Sequence, residues 1–144
     1  MRKTREKAEQ ETRIRYHVNA SRGIVYHTLL NADAVEKWMV PDGMTSLVHM
    51  FDAREGGLFR TSLTYDTATG TGKTTAQTDT YHGRFVKLVK NEQVVEVVEF
   101  ETTDPALQGE MTITYTLTDA DGGTDILVVF DGLPPGLSAL VEGG

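Results

Sequence analysis

Histidine is the side chain that changes charge closest to neutral pH, so the histidines of this sequence are the first candidates for acid–base or metal chemistry. No two histidines are four residues apart and no HExxH motif occurs, so a helical metal site is not indicated. His49 shares an alternating segment with Leu47 and Phe51, and the pattern predicts that these three side chains point inward. Two interpretations of His49 stay open: a histidine with satisfied hydrogen bonds, or a proton-transfer group in a pocket. The four histidines are His17, His27, His49 and His82.

Two loops contain residues that match ligand-binding motifs only in part. Residues 70–74 read Gly-Thr-Gly-Lys-Thr and end like a phosphate-binding loop, but the required first glycine is replaced by Thr67. Strand-like segments flank this loop, whereas a phosphate-binding loop leads into a helix. Asp119, Asp121 and Asp125 surround a Gly-Gly turn but lack the twelve-residue spacing of a calcium loop. We therefore predict two hairpin loops, with no metal site and no cofactor.

Large apolar and amphipathic side chains are the remaining candidates for a functional site. In a small protein they could all belong to the core. If the sheet curls around a helix, they would instead line a cavity in which tyrosine hydroxyls are the few polar anchors. The spacing of these residues does not separate the two outcomes, and it assigns no catalytic residue. The predicted pocket residues are Trp38, Met39, Met44, His49, Phe51, Phe59, Tyr65, Tyr81, Phe85, Met111 and Tyr115.

Most of these side chains must be positioned by β-strands. Alternation of apolar and polar residues predicts seven strands, and helical spacing after Ser21 predicts two short helices between the first two strands. Asn31 or Asp33 is the predicted cap of the second helix. Short turns between successive strands are typical of an antiparallel meander with one apolar face, which two short helices cannot cover. The predicted strands are 12–19, 44–51, 58–65, 78–89, 93–102, 111–118 and 124–130.

Composition limits the class of protein. The chain has 144 residues, no cysteine and a net charge of −7. The missing cysteines exclude disulfides and thiolate nucleophiles and suit the reducing cytoplasm, and the negative charge argues against a nucleic-acid partner. No apolar stretch has the length of a membrane span. We expect a charged N-terminal arm over residues 1–11, a single domain over residues 12–144 and a cytoplasmic location.

Five segments of the sequence resemble a known family. They are residues 35–41 (VEKWMVP), 51–60 (FDAREGGLFR), 81–85 (YHGRF), 95–101 (VEVVEFE) and 109–114 (GEMTIT). These segments are similar to the bacterial domains that resemble the C-terminal domain of the activator of heat-shock protein 90 ATPase, in the START-like (SRPBCC) superfamily. The resemblance covers residues 10–137 in order and without a large gap.

The resemblance implies an α+β helix-grip fold. In this fold a curved seven-stranded antiparallel sheet, with two short helices after strand 1, wraps around a long C-terminal helix and leaves an apolar cavity between them. Here only residues 137–144 follow the Leu-Pro-Pro-Gly segment at 133–136, which is enough for about two helical turns. We therefore expect the C-terminal helix to be truncated, or omitted from this sequence.

The resemblance leaves three functions open. The first is binding of a small hydrophobic or aromatic molecule in the implied cavity. The second is a co-chaperone-like or stress-response adaptor, although the sequence itself gives no support for a chaperone partner. The third is a cyclase- or hydrolase-type enzyme that uses His49, Tyr81 or Tyr115 for proton transfer, which the lack of a shared catalytic signature disfavours. A homodimer that covers the sheet also stays open.

Overall fold

A computed structural model describes residues 11–38, 42–65 and 78–135 of the chain. Within these ranges the strands and helices follow in the predicted order, and no strand boundary differs from its predicted position by more than two residues. The elements are β1 (Glu11–Val18), α1 (Arg22–Leu29), α2 (Ala32–Trp38), β2 (Met44–Phe51), β3 (Leu58–Tyr65), β4 (Thr78–Val89), β5 (Gln93–Phe100), β6 (Met111–Ala120) and β7 (Gly123–Asp131).

The seven strands form one antiparallel sheet in the order β1-β7-β6-β5-β4-β3-β2. Strands β2 to β7 are therefore a meander, and β1 extends it beside β7. The tight β6–β7 turn places Asp121 at φ 45° and Gly122 at φ 78°, the left-handed conformation that an Asp-Gly pair adopts at low energetic cost. The predicted antiparallel meander is confirmed.

The sheet is curled into a half-barrel, and the register assigns its residues to two faces. Directly paired residues of antiparallel strands point to the same face. In β6 the residues Met111, Ile113, Tyr115 and Leu117 are buried, and the threonines between them are more exposed. We call the face that carries these four residues the concave face, and the opposite face the convex face. Further concave-face residues are Phe59, Thr61, Tyr81, Gly83, Phe85, Val94, Glu96, Val98 and Val128.

A β-bulge between Val48 and Met50 interrupts the alternation in β2. Before the bulge, Leu47 pairs with Ser62 on the convex face and is 56% exposed. After the bulge, Phe51 points to the concave face. The prediction that Leu47 and Phe51 both point inward is wrong for Leu47, because the bulge inserts one extra residue between them.

Both helices begin at predicted capping residues. Ser21 Oγ accepts a hydrogen bond from the Ile24 N–H at 3.3 Å, and Asn31 Oδ1 accepts one from the Ala34 N–H at 2.9 Å. Helix α1 packs against β5, β6 and β7, whereas α2 packs against β2. The side chains that α1 buries are Val25, Tyr26 and Leu29.

Several predictions concern residues outside the described ranges. These are residues 1–10 of the predicted arm, Met39, the loop that contains residues 66–74, and the segment after residue 136, where a truncated helix was expected. The division into an arm and one domain, and the truncation of the C-terminal helix, therefore stay predictions. In the described part of the chain, no helix combines the length and the hydropathy needed to cross a bilayer.

Candidate functional site

The carboxyl group of Glu96 lies in the middle of the concave face, on strand β5. Across the two neighbouring strands, Glu96 pairs with Phe85 and Ile113. Along its own strand, the next concave-face residues are Val94 and Val98, which are 0% and 4% exposed. Glu96 itself is half-buried, and the residues at these four neighbouring positions are all apolar.

These surroundings change the acidity of Glu96. Desolvation raises its pKa from 4.5 to about 8, and no described cation or hydrogen-bond donor offsets that effect. At neutral pH the side chain is therefore mostly the neutral acid, which both donates and accepts hydrogen bonds. A positive charge brought close to it would favour its ionised form.

Two tyrosines lie on the strands that flank Glu96. Burial raises the pKa of Tyr81 on β4 and of Tyr115 on β6, and the negative charge of Glu96 raises both further. A hydrogen bond with the Thr61 side chain partly opposes the shift at Tyr81. Both phenols are protonated at neutral pH, so the centre of the concave face carries three neutral hydroxyl-bearing groups in an apolar surface.

Aromatic rings form a continuous group beside these hydroxyls. The ring centroids of Phe59 and Phe85 are 5.0 Å apart, and those of Phe51 and Phe85 are 5.5 Å apart. Tyr81 joins this group through Phe59 at 6.4 Å and extends it to Phe100 at 5.8 Å. All four contacts are edge-to-face or tilted, which is close to the arrangements that aromatic quadrupoles favour. The rings are therefore held in defined orientations.

Gly83 allows the Phe59 ring to lie directly over β4. A Cβ atom at Gly83 would lie 2.6 Å from Phe59 Cζ and would also collide with the carbonyl oxygen of Val97. The glycine thus makes room for an aromatic ring at the centre of the concave face.

The structure brings most of the predicted pocket residues to one face. Trp38, at the last position of α2, is 75% exposed and is not among them. Tyr65 is 51% exposed and pairs with Met44 at the outer end of the sheet. The predicted residues on the concave face are Met44, Phe51, Phe59, Tyr65, Tyr81, Phe85, Met111 and Tyr115.

His49 lies on the other side of the sheet. Its Nε2 is 2.8 Å from Ser62 Oγ, and Ser62 Oγ is 2.7 Å from Thr80 Oγ1 on the convex face. The bulge in β2 gives His49 this position, because it shifts the alternation that would otherwise turn the imidazole inward. The structure therefore does not bring His49 together with Tyr81 and Tyr115.

The sequence reasoning missed Glu96, although a signal for it was present. As residue types, Glu96, Glu99 and Glu101 all fit the solvated face of a strand. Strand alternation separates them, because Glu96 shares its parity with Val94 and Val98. The other two glutamates have the opposite parity and lie on the convex face.

The convex face carries a compact ionic network. Arg60 binds both carboxylate oxygens of Glu101, with Nε at 2.9 Å and Nη2 at 3.0 Å, and His82 Nδ1 is 3.0 Å from Glu101 Oε2. Hydrogen bonds from Arg60 and His82 lower the pKa of Glu101 to about 2. Within residues 11–38, 42–65 and 78–135, no cluster of three or more acidic or histidine side chains could hold a metal ion.

The family of the chain follows from its sequence over most of its length. Residues 19–144 match the family described as "Activator of Hsp90 ATPase homolog 1-like protein". The chain belongs to this family. The resemblance stated from the five sequence segments is thereby confirmed, whereas among curated proteins none matches the chain.

Bacterial proteins of solved structure share the fold of this activator of Hsp90 ATPase homolog 1-like chain. Protein CV1439 from Chromobacterium violaceum is 26% identical, with a TM-score of 0.74 over 88% of this chain and 81% of that chain. A protein from Rhodobacter sphaeroides is 18% identical, with a TM-score of 0.73 over 94% and 80%. A protein from Arthrobacter aurescens is 13% identical, with a TM-score of 0.75 over 94% and 76%. The curled sheet with two helices is that of the START-like, helix-grip class.

Proposed function

We propose that this domain binds a small hydrophobic or aromatic molecule against the concave face of its sheet. The observation that carries the proposal is the composition of that face: an apolar and aromatic surface whose centre holds Glu96, Tyr81 and Tyr115 as hydrogen-bonding groups. Sites for small apolar molecules typically combine such a lining with a few polar groups that fix the orientation of the ligand. Membership of a START-like family supports a ligand-binding role of this general kind.

The aromatic group gives the proposed site its rigid part. Phe59 and Phe85 are 5% and 1% exposed, so binding would not have to order their side chains. Glu96, Phe51 and Tyr81 are less buried than these two rings, so they are the groups of this face that a ligand would contact. A ligand is therefore expected to place its apolar body against Phe51 and Tyr81, with its polar end at Glu96.

A screen followed by mapping tests this proposal. Thermal unfolding is recorded with a panel of fatty acids, aromatic alcohols, aromatic amines and polycyclic phenols. A binder present at a hundred times its Kd should stabilise the protein by about 2.7 kcal/mol. The strongest hits are then titrated into methyl-labelled protein, and the NMR shifts of methyl groups on the two faces are compared.

The two faces provide an internal control for the mapping. We expect shifts at the Ile113 and Met111 methyl groups, which face the concave side, and none at Leu47, Leu58 or Val97 on the convex side. A panel without any stabilising compound would contradict the proposal. So would a set of ligands whose shifts cluster on the convex side.

A further inference from the structure

The charges of the sheet are divided between its two faces. Pairing in the sheet assigns every arginine and lysine on a described strand to the convex face. For example, Arg60 pairs with His82, Arg84 pairs with Val97, and Lys87 pairs with Val95 after the bulge in β4. The concave face therefore receives no positive charge from any described strand. The strand cations of the convex face are Arg13, Arg15, Arg60, Arg84 and Lys87.

The ionisable residues in concave-face register are acids and tyrosines. Asp119 lies at the end of β6, where its carboxylate accepts a hydrogen bond from Arg22 Nε of α1 at 3.0 Å. Asp79 lies exposed near the start of β4. Glu96 is the acid that lies among apolar side chains, with no cation among the described residues to balance it. The face thus has an acidic centre in an apolar surface.

We propose that the ligand of the concave face is an organic cation, with an aromatic or alicyclic body and one protonated nitrogen that binds the Glu96 carboxylate. This inference rests on the proposed function and specifies its ligand class. The ammonium group would supply the positive charge that the described strands do not bring to this face, while the apolar body packs on the partly exposed rings of Phe51 and Tyr81. The nearby aromatic rings add a favourable interaction with a cation.

The chemistry of binding follows from the neighbours of Glu96. On binding, the carboxylic acid releases its proton to solvent and the carboxylate accepts a charge-assisted hydrogen bond from the ammonium group. Tyr81 from β4 and Tyr115 from β6 are the titratable groups that flank it, and both stay neutral. Helix α1 contributes Arg22, which is bound to Asp119 and to the carbonyl oxygen of Asn91, together with Tyr26 and His27. No described group therefore competes with a ligand cation for Glu96.

An anionic ligand fits this face poorly. A carboxylate or phosphate end would lie beside Glu96 and two phenols, and Arg22 of α1, at the end of this face, is already paired with Asp119. A neutral alcohol or ketone would form a hydrogen bond with the uncharged acid but would gain no ion pair. The three classes of ligand are therefore expected to rank as cation, neutral molecule and anion, in order of falling affinity.

Three probes with the same aromatic body test the ranking. The Kd values of 2-naphthylmethylamine, 2-naphthylmethanol and 2-naphthoate are measured by calorimetry at pH 6 and pH 8. We expect the amine to bind about tenfold more tightly than the alcohol at pH 8, and its advantage to shrink at pH 6, where a proton must be removed from Glu96. The affinity of the alcohol should not change between the two pH values.

Two variants of one strand separate the role of Glu96 from that of net charge. Glu96→Gln should weaken binding of the amine about tenfold and binding of the alcohol much less, because a neutral amide can replace the hydrogen bond of the neutral acid. Glu99→Gln removes the same charge from the convex side of the same strand and should change neither affinity. Equal loss in both variants would overturn the proposal, because it would assign the effect to overall charge.

The order of the three affinities in the unmodified protein also separates a preference for cations from ligand binding in general. If the alcohol or the carboxylate binds as tightly as the amine and shifts the Ile113 methyl group, ligand binding stands and the cation proposal is wrong. If no naphthyl probe and no compound of the wider panel binds, both are wrong. A tenfold preference for the amine that disappears in Glu96→Gln supports both.

Discussion

Glu96 and Glu99 stand three residues apart on β5 and face opposite sides of the sheet. Glu96 pairs with Phe85 and Ile113 on the concave face. Glu99 pairs with His82 on the convex face, where its Oε1 is 3.8 Å from His82 Nε2 and its side chain is 38% exposed. One glutamate therefore lies in an apolar surface and the other in water beside a histidine, and the same substitution at the two positions compares these environments.

Replacing Glu96 should stabilise the protein in a pH-dependent way. Its pKa is 4.5 in the unfolded chain and about 8 in the folded chain, so stability falls as pH rises from about 4.5 to about 8. We expect Glu96→Gln to raise the free energy of unfolding by about 4 kcal/mol at pH 8 and to change it little at pH 4. Urea unfolding at both pH values measures this, with Glu99→Gln as the control. A wild-type stability that does not fall between pH 5 and pH 8 would contradict the assignment.

Adding a methyl group at Gly83 should destabilise the sheet. The new Cβ would collide with the Phe59 ring and the Val97 carbonyl oxygen, so Gly83→Ala should lower the free energy of unfolding by about 2 kcal/mol. The matched control is Gly23→Ala in α1, where the nearest atom to a Cβ is Asn91 Oδ1 at 3.7 Å. That change should stabilise the helix by about 0.5 kcal/mol. Equal effects of the two substitutions in chemical denaturation would be inconsistent with the close contact at Gly83.

Removing Arg60 should raise the pKa of Glu101. Because the folded-state pKa is about 2 and the unfolded value is 4.5, the pair stabilises the fold above pH 4.5 and the contribution is lost as pH falls toward 2. In Arg60→Gln the pKa of Glu101 should move toward 4.5 without reaching it, since His82 still donates a hydrogen bond. Carboxyl carbon NMR titration follows the change. Arg84→Gln removes a cation beside Glu110 instead and should not change the pKa of Glu101.

The stability of the contact between β1 and β7 should depend on pH through His17. Its Nδ1 lies 2.7 Å from Asp125 Oδ1 of β7, and this hydrogen bond is the main cause of a pKa above 6.5. The protonated pair stabilises the contact between the strands below about pH 6.5, and the contribution is lost as pH rises through the folded-state pKa. Proton NMR titration should show the His17 pKa falling toward 6.5 in Asp125→Asn. In Asp121→Asn it should fall less, because Asp121 contributes least to the shift.

The strands were predictable because their local patterns agree with their pairing. Residues 111–117 alternate apolar residues with threonines, and these apolar residues are buried in the structure. Turn chemistry at Asp121 and Gly122 placed the last hairpin correctly. Strand β5 was expected to run to residue 102 but ends at Phe100, and Thr102 Oγ1 instead accepts a hydrogen bond from the Asp104 N–H in the following turn.

The candidate site was predictable only in part, because its chemistry depends on register. Alternation assigned the aromatic residues of β3 and β4 to one face, and the structure places Phe59, Tyr81 and Phe85 there. Alternation could not predict which face His49 lies on, because a bulge depends on how β2 pairs with β3 and is not visible in the residue types of β2. A glutamate on a strand usually faces water, so residue type alone does not reveal Glu96, and its burial follows only from its shared parity with Val94 and Val98.

The extra residue in β2 gives the strand one more side chain on the convex face without changing the faces of its neighbours. A chain shorter by one residue between Val48 and Met50 would restore regular alternation, and Leu47 and Phe51 would keep their opposite faces because three positions instead of four would separate them. A single-residue deletion at this position would thus remove an imidazole from the convex face and leave the concave face as it is.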